Sequence, residues 1–279
     1  MIMNVKKLIF GLTLSMFIFS CNKDDSTSSN PLDTSQARTS VEIDKLTDDV
    51  SYVIENQIDI QLSDSGKMTE IPESLLPPCA TVTTVITGNT WTRTIDFGTE
   101  GCTMPNGNVY KGVITISKIL TSNPLSKTFT ITFENFYSNA RLIEGTKTIV
   151  RTLTTVAPIH PTSTMTMNIT VTFPNGESYE RTGNRVSEMI EGFGTAIWSD
   201  NIFSVTGNWS TTRLNWSQTT TITTPLVFKM NCQYGLVQGE IQIVRNNNSA
   251  VINYGDGTCD NQATISINGS APATFTFGN

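Results

Sequence analysis

From Cys79 to the end of the chain, apolar and polar side chains alternate with a period of two in one segment after another, as in residues 129–133 and 165–171. Successive side chains of a β-strand point to opposite faces, so this period predicts strands with one buried and one solvated face. Thr, Val and Ile dominate these segments, and β-branched side chains suit a pleated sheet.

Turn-forming residues separate the alternating segments at 88–89, 105–107, 123–124, 174–176, 246–248 and 268–269. Short connections join antiparallel neighbours, because a parallel pair needs a long crossover. The sequence therefore predicts an all-β domain over residues 79–279, built as an antiparallel meander of roughly 12 to 16 strands. The pattern is compatible with a sandwich, a barrel or a long rolled sheet.

The N-terminus has the features of an export signal. Lys6 and Lys7 precede an almost unbroken apolar run over residues 8–19, which is shorter than the roughly 20 residues that a helix needs to cross a bilayer. The run ends in Ile-Phe-Ser-Cys, which resembles the lipobox of bacterial lipoproteins. That resemblance implies that residues 1–20 are a signal peptide and that Cys21 carries lipid. An ordinary secretory signal is the alternative.

The residues after Cys21 indicate where the anchor faces. Lys23, Asp24 and Asp25 resemble the export tag of surface lipoproteins in Bacteroidota-type bacteria. The resemblance implies an outer-membrane protein, lipid-anchored and facing outward, with a periplasm-facing anchor as the alternative. Residues 21–38 are polar and predict a flexible tether.

Residues 39–62 predict one amphipathic helix, followed by a linker over 63–78. Thr39 and Glu42 have the spacing of a capping box. Four apolar residues recur at helical spacing and define one side of this helix: Leu46, Val50, Val53 and Ile54. We expect Asp44, Asp48 and Asp49 to face away from that side. The helix is expected to pack on the β-domain or to serve as a stalk, and a partner-binding helix is the alternative.

Charge is distributed unevenly along the chain. Residues 22–78 contain 12 acids and 4 bases, whereas residues 79–279 contain 12 of each. The acidity therefore belongs to the N-terminal segment and not to the β-domain. No basic patch is present that would indicate nucleic-acid binding.

Four cysteines follow Cys21, and four cysteines allow three pairings. Cys79 and Cys102 flank one predicted hairpin, and Cys232 and Cys259 flank a second with a similar sequence before its last cysteine. We therefore expect the disulfides Cys79–Cys102 and Cys232–Cys259, which the oxidising compartment implied by export would permit. A zinc site is disfavoured, because such sites use closely spaced cysteine or histidine pairs.

Five segments of the β-domain look like those of an uncharacterised family of Bacteroidota-type surface lipoproteins: residues 79–83, 94–98, 133–137, 144–148 and 254–261. The resemblance extends over about residues 79–279. It implies an anchored all-β domain and carries over no catalytic or binding residues.

Residues suited to catalysis are few. The single histidine, His160, stands in a Pro-rich segment that predicts a loop, and no hydrolase, phosphate-binding or zinc motif is present. A glycosidase needs two carboxylates held near each other. The candidates are nearly contiguous acids: Glu177, Glu180, Glu188 and Glu191.

Two repeated Asn-Trp-Ser triplets place Trp209 and Trp216 in predicted strands. If exposed, these rings would stack on sugars; if buried, they belong to the core. Residues 253–261 are rich in oxygen ligands but do not match a calcium loop, so no metal or cofactor is predicted. The prediction is a non-enzymatic binding or structural module with an external glycan or protein partner. A periplasm-facing carrier or envelope-assembly factor, and a glycan hydrolase, are the alternatives.

Overall fold

The computed structural model describes residues 32–64, 71–120, 126–154 and 160–278. The predicted signal peptide over residues 1–20, the lipidation site Cys21 and the export tag Lys23, Asp24 and Asp25 lie outside the described residues. So does the turn predicted at 123–124.

One long helix, α1, extends over Thr34–Asp64. It begins at Asp33, whose Oδ1 accepts a hydrogen bond from the amide of Gln36 at 2.8 Å, as a helix N-cap does. The predicted start at Thr39 is therefore wrong. The Thr39 hydroxyl donates instead to the carbonyl of Ser35 at 3.1 Å, one turn earlier within the helix. The last residues of the predicted tether, 34–38, belong to the helix.

Fourteen strands and one 3₁₀ turn, Trp198–Asp200, follow the helix. The strands are β1 Thr81–Thr87, β2 Thr90–Asp96, β3 Cys102–Thr103, β4 Val109–Ile119, β5 Ser126–Ser138, β6 Arg141–Leu153, β7 Pro161–Thr172, β8 Ser178–Glu191, β9 Ile202–Arg213, β10 Trp216–Lys229, β11 Leu236–Arg245, β12 Asn248–Asp256, β13 Gln262–Ile267 and β14 Ala273–Thr276.

The strands form one antiparallel sheet in chain order, with the short β3 attached to β4. The predicted meander is thus confirmed, and five of its predicted turns connect successive strands as expected. β1 and β14 are the two edges and do not pair with each other. Of the three arrangements compatible with the sequence, the protein adopts an open, rolled sheet.

The sheet curls around α1, because strands far apart in the sheet contact the same helix. The Tyr52 ring lies 5.3 Å from the ring of Phe203 in β9 and 5.2 Å from that of Phe228 in β10. Arg38 stacks 5.0 Å over the ring of Phe275 in β14. The alternation of the strands follows from this arrangement: one face is buried around the helix and the other is turned outward, as the pattern of β7 illustrates.

The segment after the helix, predicted as a linker over 63–78, is held against α1 where it is described. The Asn56 side chain donates to the carbonyl of Glu73 at 2.8 Å and accepts from the amide of Leu75 at 3.0 Å. The Gln57 amide donates to Ser74 Oγ at 3.0 Å. Asn56 thus satisfies backbone groups of the described residues 71–78, which form neither helix nor strand.

Both predicted disulfides are present, Cys79–Cys102 and Cys232–Cys259. The first follows from the hairpin register: Thr87 pairs with Thr90, so that the ladder extends toward Cys79 and places it beside the loop that contains Cys102. Each bridge closes a loop of more than twenty residues, worth roughly 3 kcal/mol in the chain-entropy model.

Candidate functional site

The concave face of the sheet carries a row of basic side chains that point at the helix. Six of them are buried: Lys118 on β4 is 8% exposed, and five others are between 1% and 4% exposed, namely Lys147 and Arg151 on β6, Arg181 and Arg185 on β8, and Arg245 on β11. Charged groups leave water at a large cost unless they are paired, so each of these residues needs a partner inside the roll.

Helix α1 supplies those partners from one stripe. Arg181 pairs with Asp44, and Arg185 pairs with both Asp48 and Asp44. Lys147 Nζ donates to Ser51 Oγ at 2.8 Å and to a helix carbonyl at 3.2 Å. The arginines of β6 and β8 are therefore paired with acids of the helix, whereas Lys147 and Arg245 donate to neutral oxygens, for Arg245 those of Gln36 and Gln218.

Arg151 has the most completely defined contacts. Its guanidinium donates to Asp59 at 2.7 and 3.0 Å, to Glu55 Oε2 at 3.0 Å and to Ser163 Oγ at 2.7 Å. All four side chains are buried. This one residue joins two turns of the helix to two neighbouring strands.

The expectation that Asp44 and Asp48 face solvent is wrong, since they are only 6% and 7% exposed. Asp49, by contrast, lies at the border of the interior, paired with Lys45. Sequence reasoning missed the interior charges because a buried helix was assumed to be apolar on its packed side. The sequence did contain a signal. In β6, Lys147 and Arg151 lie on the same face of the strand as the buried Ile149, because they are two residues before and after it.

Burial sets the protonation behaviour of this interior. Desolvation raises the pKa of Glu55 to about 7, although the Arg151 charge acts in the opposite direction. Desolvation likewise raises the pKa of Asp48 to about 6 against the effect of Arg185. It lowers the pKa of Lys147 to about 8, a shift that the Asp48 charge opposes. The helix–sheet contact therefore titrates near neutral pH.

A groove opens over the first half of α1, between β14 on one side and the β3–β4 connection and β5–β6 turn on the other. Its polar part has a volume of about 650 Å³. A second part, of about 450 Å³, continues it and shares four lining residues: Asp49, Asn106, Gln233 and Tyr234. We call the two parts together the helix groove.

One wall of the helix groove is a chain of hydrogen bonds. Asn108 donates to Asp49 Oδ2 at 2.8 Å, and Asn139 donates to Asn108 Oδ1 at 2.7 Å. Arg141 donates to the Asn139 carbonyl at 2.7 Å and pairs with Glu42 on the helix. These bonds tie two loops to α1, so the wall is fixed before any ligand binds.

The second part of the helix groove has an apolar floor. It is lined by side chains from the helix, the linker, the β3–β4 connection, the 3₁₀ turn, β10 and the residue that follows β10: Tyr52, Val53, Leu75, Met104, Trp198, Phe228 and Met230. Charged side chains thus concentrate in the first part of the groove, and both parts combine amide groups with aromatic and aliphatic side chains, as ligand sites commonly do.

The two tryptophans proposed for sugar stacking are in the core. Trp209 and Trp216 are 1% and 9% exposed. Arg185 covers the face of Trp209 at 4.0 Å, and Arg245 covers that of Trp216 at 3.6 Å. Neither ring is available to a sugar, and their role is to hold buried guanidinium groups by cation–π contact.

The four candidate carboxylates are spread along β8 and its flanking turn. Glu180 and Glu188 are eight positions apart, about 26 Å along a strand, so the acids at one end of β8 cannot form a glycosidase pair with those at the other end. Glu177 accepts a hydrogen bond from Arg213 at 2.5 Å, and Glu188 lies 2.5 Å from His160 Nε2. The arrangement does not gather acids at one point.

The oxygen-rich loop at 253–261 uses its own acids internally. The Asp256 carboxylate accepts hydrogen bonds from the hydroxyl and amide of Thr258 at 2.8 and 3.3 Å, which lower the pKa of Asp256. Cys259 is bonded to Cys232. Within the described residues, no group of three or more His, Cys, Asp or Glu side chains is placed to hold a metal ion.

Comparison with protein-family models, with curated proteins and with solved structures found no match for this chain. Among the described segments, no helix has the length and apolar character needed to cross a membrane.

Proposed function

We propose that this chain is a lipid-anchored, non-enzymatic binding module that faces outward from the outer membrane, and that the helix groove is its binding surface. The observation that carries the proposal is the groove itself, an open channel with a hydrogen-bonded wall and an aromatic floor. A preset surface of this kind binds with little ordering of side chains.

An external glycan is the ligand class that best suits the lining. The half-buried Tyr234 ring stands beside Gln233 and Asn106, and a sugar is recognised by an apolar ring face together with amide hydrogen bonds. The dispersed acids of β8 disfavour a hydrolase. An external protein is the other partner class that the binding experiment below would identify.

A periplasm-facing carrier or envelope-assembly factor is the second candidate, and the apolar half of the groove favours it. The interior of the roll offers no comparable space in its described part, because α1 and its ion pairs occupy it. A carried acyl chain would have to lie in the half lined by Met104, Phe228 and Met230. Native mass spectrometry of the purified chain would detect such a lipid.

The orientation is tested by protease shaving of intact cells. We expect the full chain to be shaved, and a Lys23/Asp24/Asp25→Ala variant to stay in the membrane but be protected. Cys21→Ser should release the chain from membranes. A wild-type chain that is membrane-bound and protected would refute outward exposure and favour the carrier.

The groove is tested by binding the full chain to a glycan array and to extracellular proteins. Tyr234→Ala and Met230→Lys should weaken any specific binding at least about tenfold. Leu214→Asn is the matched control, because Leu214 is 93% exposed in the β9–β10 turn, outside the groove. Equal binding by all three variants would refute the groove as the site.

A further inference from the structure

β1 is an edge strand without the features that normally protect an edge. Its seven residues, Thr81–Thr87, are all β-branched and include no charge, proline or glycine, and every one is exposed. Its pairing with β2 has no bulge. Exposed edges are ordinarily shortened, charged or bulged, because a free strand edge pairs with other chains.

The opposite edge is protected. β14 has only four residues, and its Phe275 is buried in the roll under Arg38. Pro272 precedes it, which removes a backbone donor. The contrast between the two edges indicates that β1 alone is kept available for pairing.

The geometry of the β1–β2 hairpin shows which backbone groups are free. Thr87 and Thr90 close a two-residue turn, and the closing residues of such a turn bond each other. Bonding to β2 then alternates, so residues 81, 83, 85 and 87 face β2. The amides and carbonyls of Val82, Thr84 and Ile86 point to the free edge, where no described segment pairs with them.

The side chains of the same residues leave apolar surface uncovered. Val82 pairs with Ile95 and Ile86 pairs with Trp91, both buried on the concave face. Val82 and Ile86 continue that apolar face to the edge but are 38% and 64% exposed. An added strand would extend the face and cover them.

We propose that β1 pairs antiparallel with β1 of a second copy of this chain, about a two-fold axis at Thr84. In this register Val82 faces Ile86 of the second copy, Ile86 faces its Val82, and Thr84 meets its own counterpart. All three positions direct backbone groups outward, so the pair forms about six hydrogen bonds. The edge is uncharged and self-complementary, as an isologous interface must be.

The contact is a single strand pair, well below the area of a standard stable interface. The dimer is therefore weak in dilute solution and forms where the chain is concentrated. Membrane anchoring, if the proposed function is correct, would concentrate it, but the pairing itself does not depend on the anchor.

Thiol cross-linking of full-length variants that each carry one added cysteine, with the two native disulfides intact, tests the register. Paired Cα atoms lie about 5.5 Å apart in such a ladder, within disulfide range, so Thr84→Cys should give a cross-linked dimer in membranes and in concentrated purified protein. Val82→Cys alone should not, because its counterpart lies about 13 Å away along the strand. A mixture of Val82→Cys and Ile86→Cys chains should cross-link.

In a head-to-tail arrangement, β1 of one copy would pair with β14 of the next. A cross-link between Thr84→Cys and Thr274→Cys chains, without a Thr84→Cys homodimer, would overturn the two-fold arrangement in favour of that one. No cross-link at any position in concentrated purified chain would overturn pairing altogether, whatever the orientation in cells. Thr84→Pro removes an edge amide without removing a β1–β2 bond. It should shift dimerisation to about tenfold higher concentration at an unchanged melting temperature.

Discussion

Replacing Arg151 by Met tests whether ion pairs hold the helix in the roll. The change removes the partner of Glu55 and Asp59, both about 5% exposed, and leaves two carboxylates in the interior. Breaking a buried pair by deleting one member costs about 3–5 kcal/mol. We expect that loss in the free energy of unfolding at pH 8, measured by chemical denaturation followed by circular dichroism.

The same experiment at pH 5 separates charge from packing. Burial raises the pKa of both Glu55 and Asp59, and without Arg151 they protonate more readily, so the loss should fall to about 1–2 kcal/mol. Arg213→Met is the control, because this ion pair is partly exposed: the Arg213 side chain is 24% exposed and that of its partner Glu177 is 38% exposed. The control substitution should lower the free energy of unfolding by about 1 kcal/mol or less. If Arg151→Met lowered the free energy of unfolding by less than about 1 kcal/mol, or by the same amount at pH 5 and pH 8, a stabilising role for this ion pair would be refuted.

Three further outcomes are expected. Because the pKa of Glu55 is about 7 in the folded chain against an ordinary 4.5, the folded state binds more protons between these values. The free energy of unfolding should therefore fall between pH 5 and pH 7.5, by about 2–3 kcal/mol, and Glu55→Gln should flatten this dependence; a free energy of unfolding that rises over this range would contradict the prediction. Gly112→Ala should destabilise by at least about 2 kcal/mol more than Gly176→Ala. Both glycines have positive φ, but only at Gly112 would an added Cβ meet backbone atoms, at 2.0 Å from a carbonyl oxygen. Equal melting temperatures of the two variants would refute the predicted difference. Asp33→Ala should lower the free energy of unfolding by about 1 kcal/mol, because it removes the helix N-cap. Thr39→Ala should change it by less than about 0.5 kcal/mol. Thermal melts of both variants distinguish the observed cap from the predicted one.

The parts of the fold that sequence could predict are those set by local chemistry. The period of two and the turn residues specify the meander, and the hairpin at Gly88 and Asn89 is enough to place Cys79 beside the loop that contains Cys102. The capping error is also local: Asp33 and Gln36 have the same spacing as Thr39 and Glu42, and only the extent of the helix decides between them.

The interior and the groove could not be predicted in the same way, because they depend on long-range pairing. Asp44 and Arg181 are 137 residues apart, and nothing near either of them in sequence marks the partner. The charge imbalance between the N-terminal segment and the β-domain was visible, however. It reflects in part an acidic helix enclosed by a basic concave face.

The ion pairs explain why the helix has one position in the roll. β6 and β8 run in the same direction, and the helix ascends with them: Asp44 and Asp48 meet β8, and then Glu55 and Asp59 meet β6. A slip of one helical turn, about four residues, that brought Ser40 to the place of Asp44 would leave the buried Arg181 without its carboxylate partner. An apolar interface would tolerate that slip far better, so the polar contact contributes specificity even if it contributes little net stability. Because the helix forms one wall of the helix groove, fixing its register also fixes the shape that a ligand would meet.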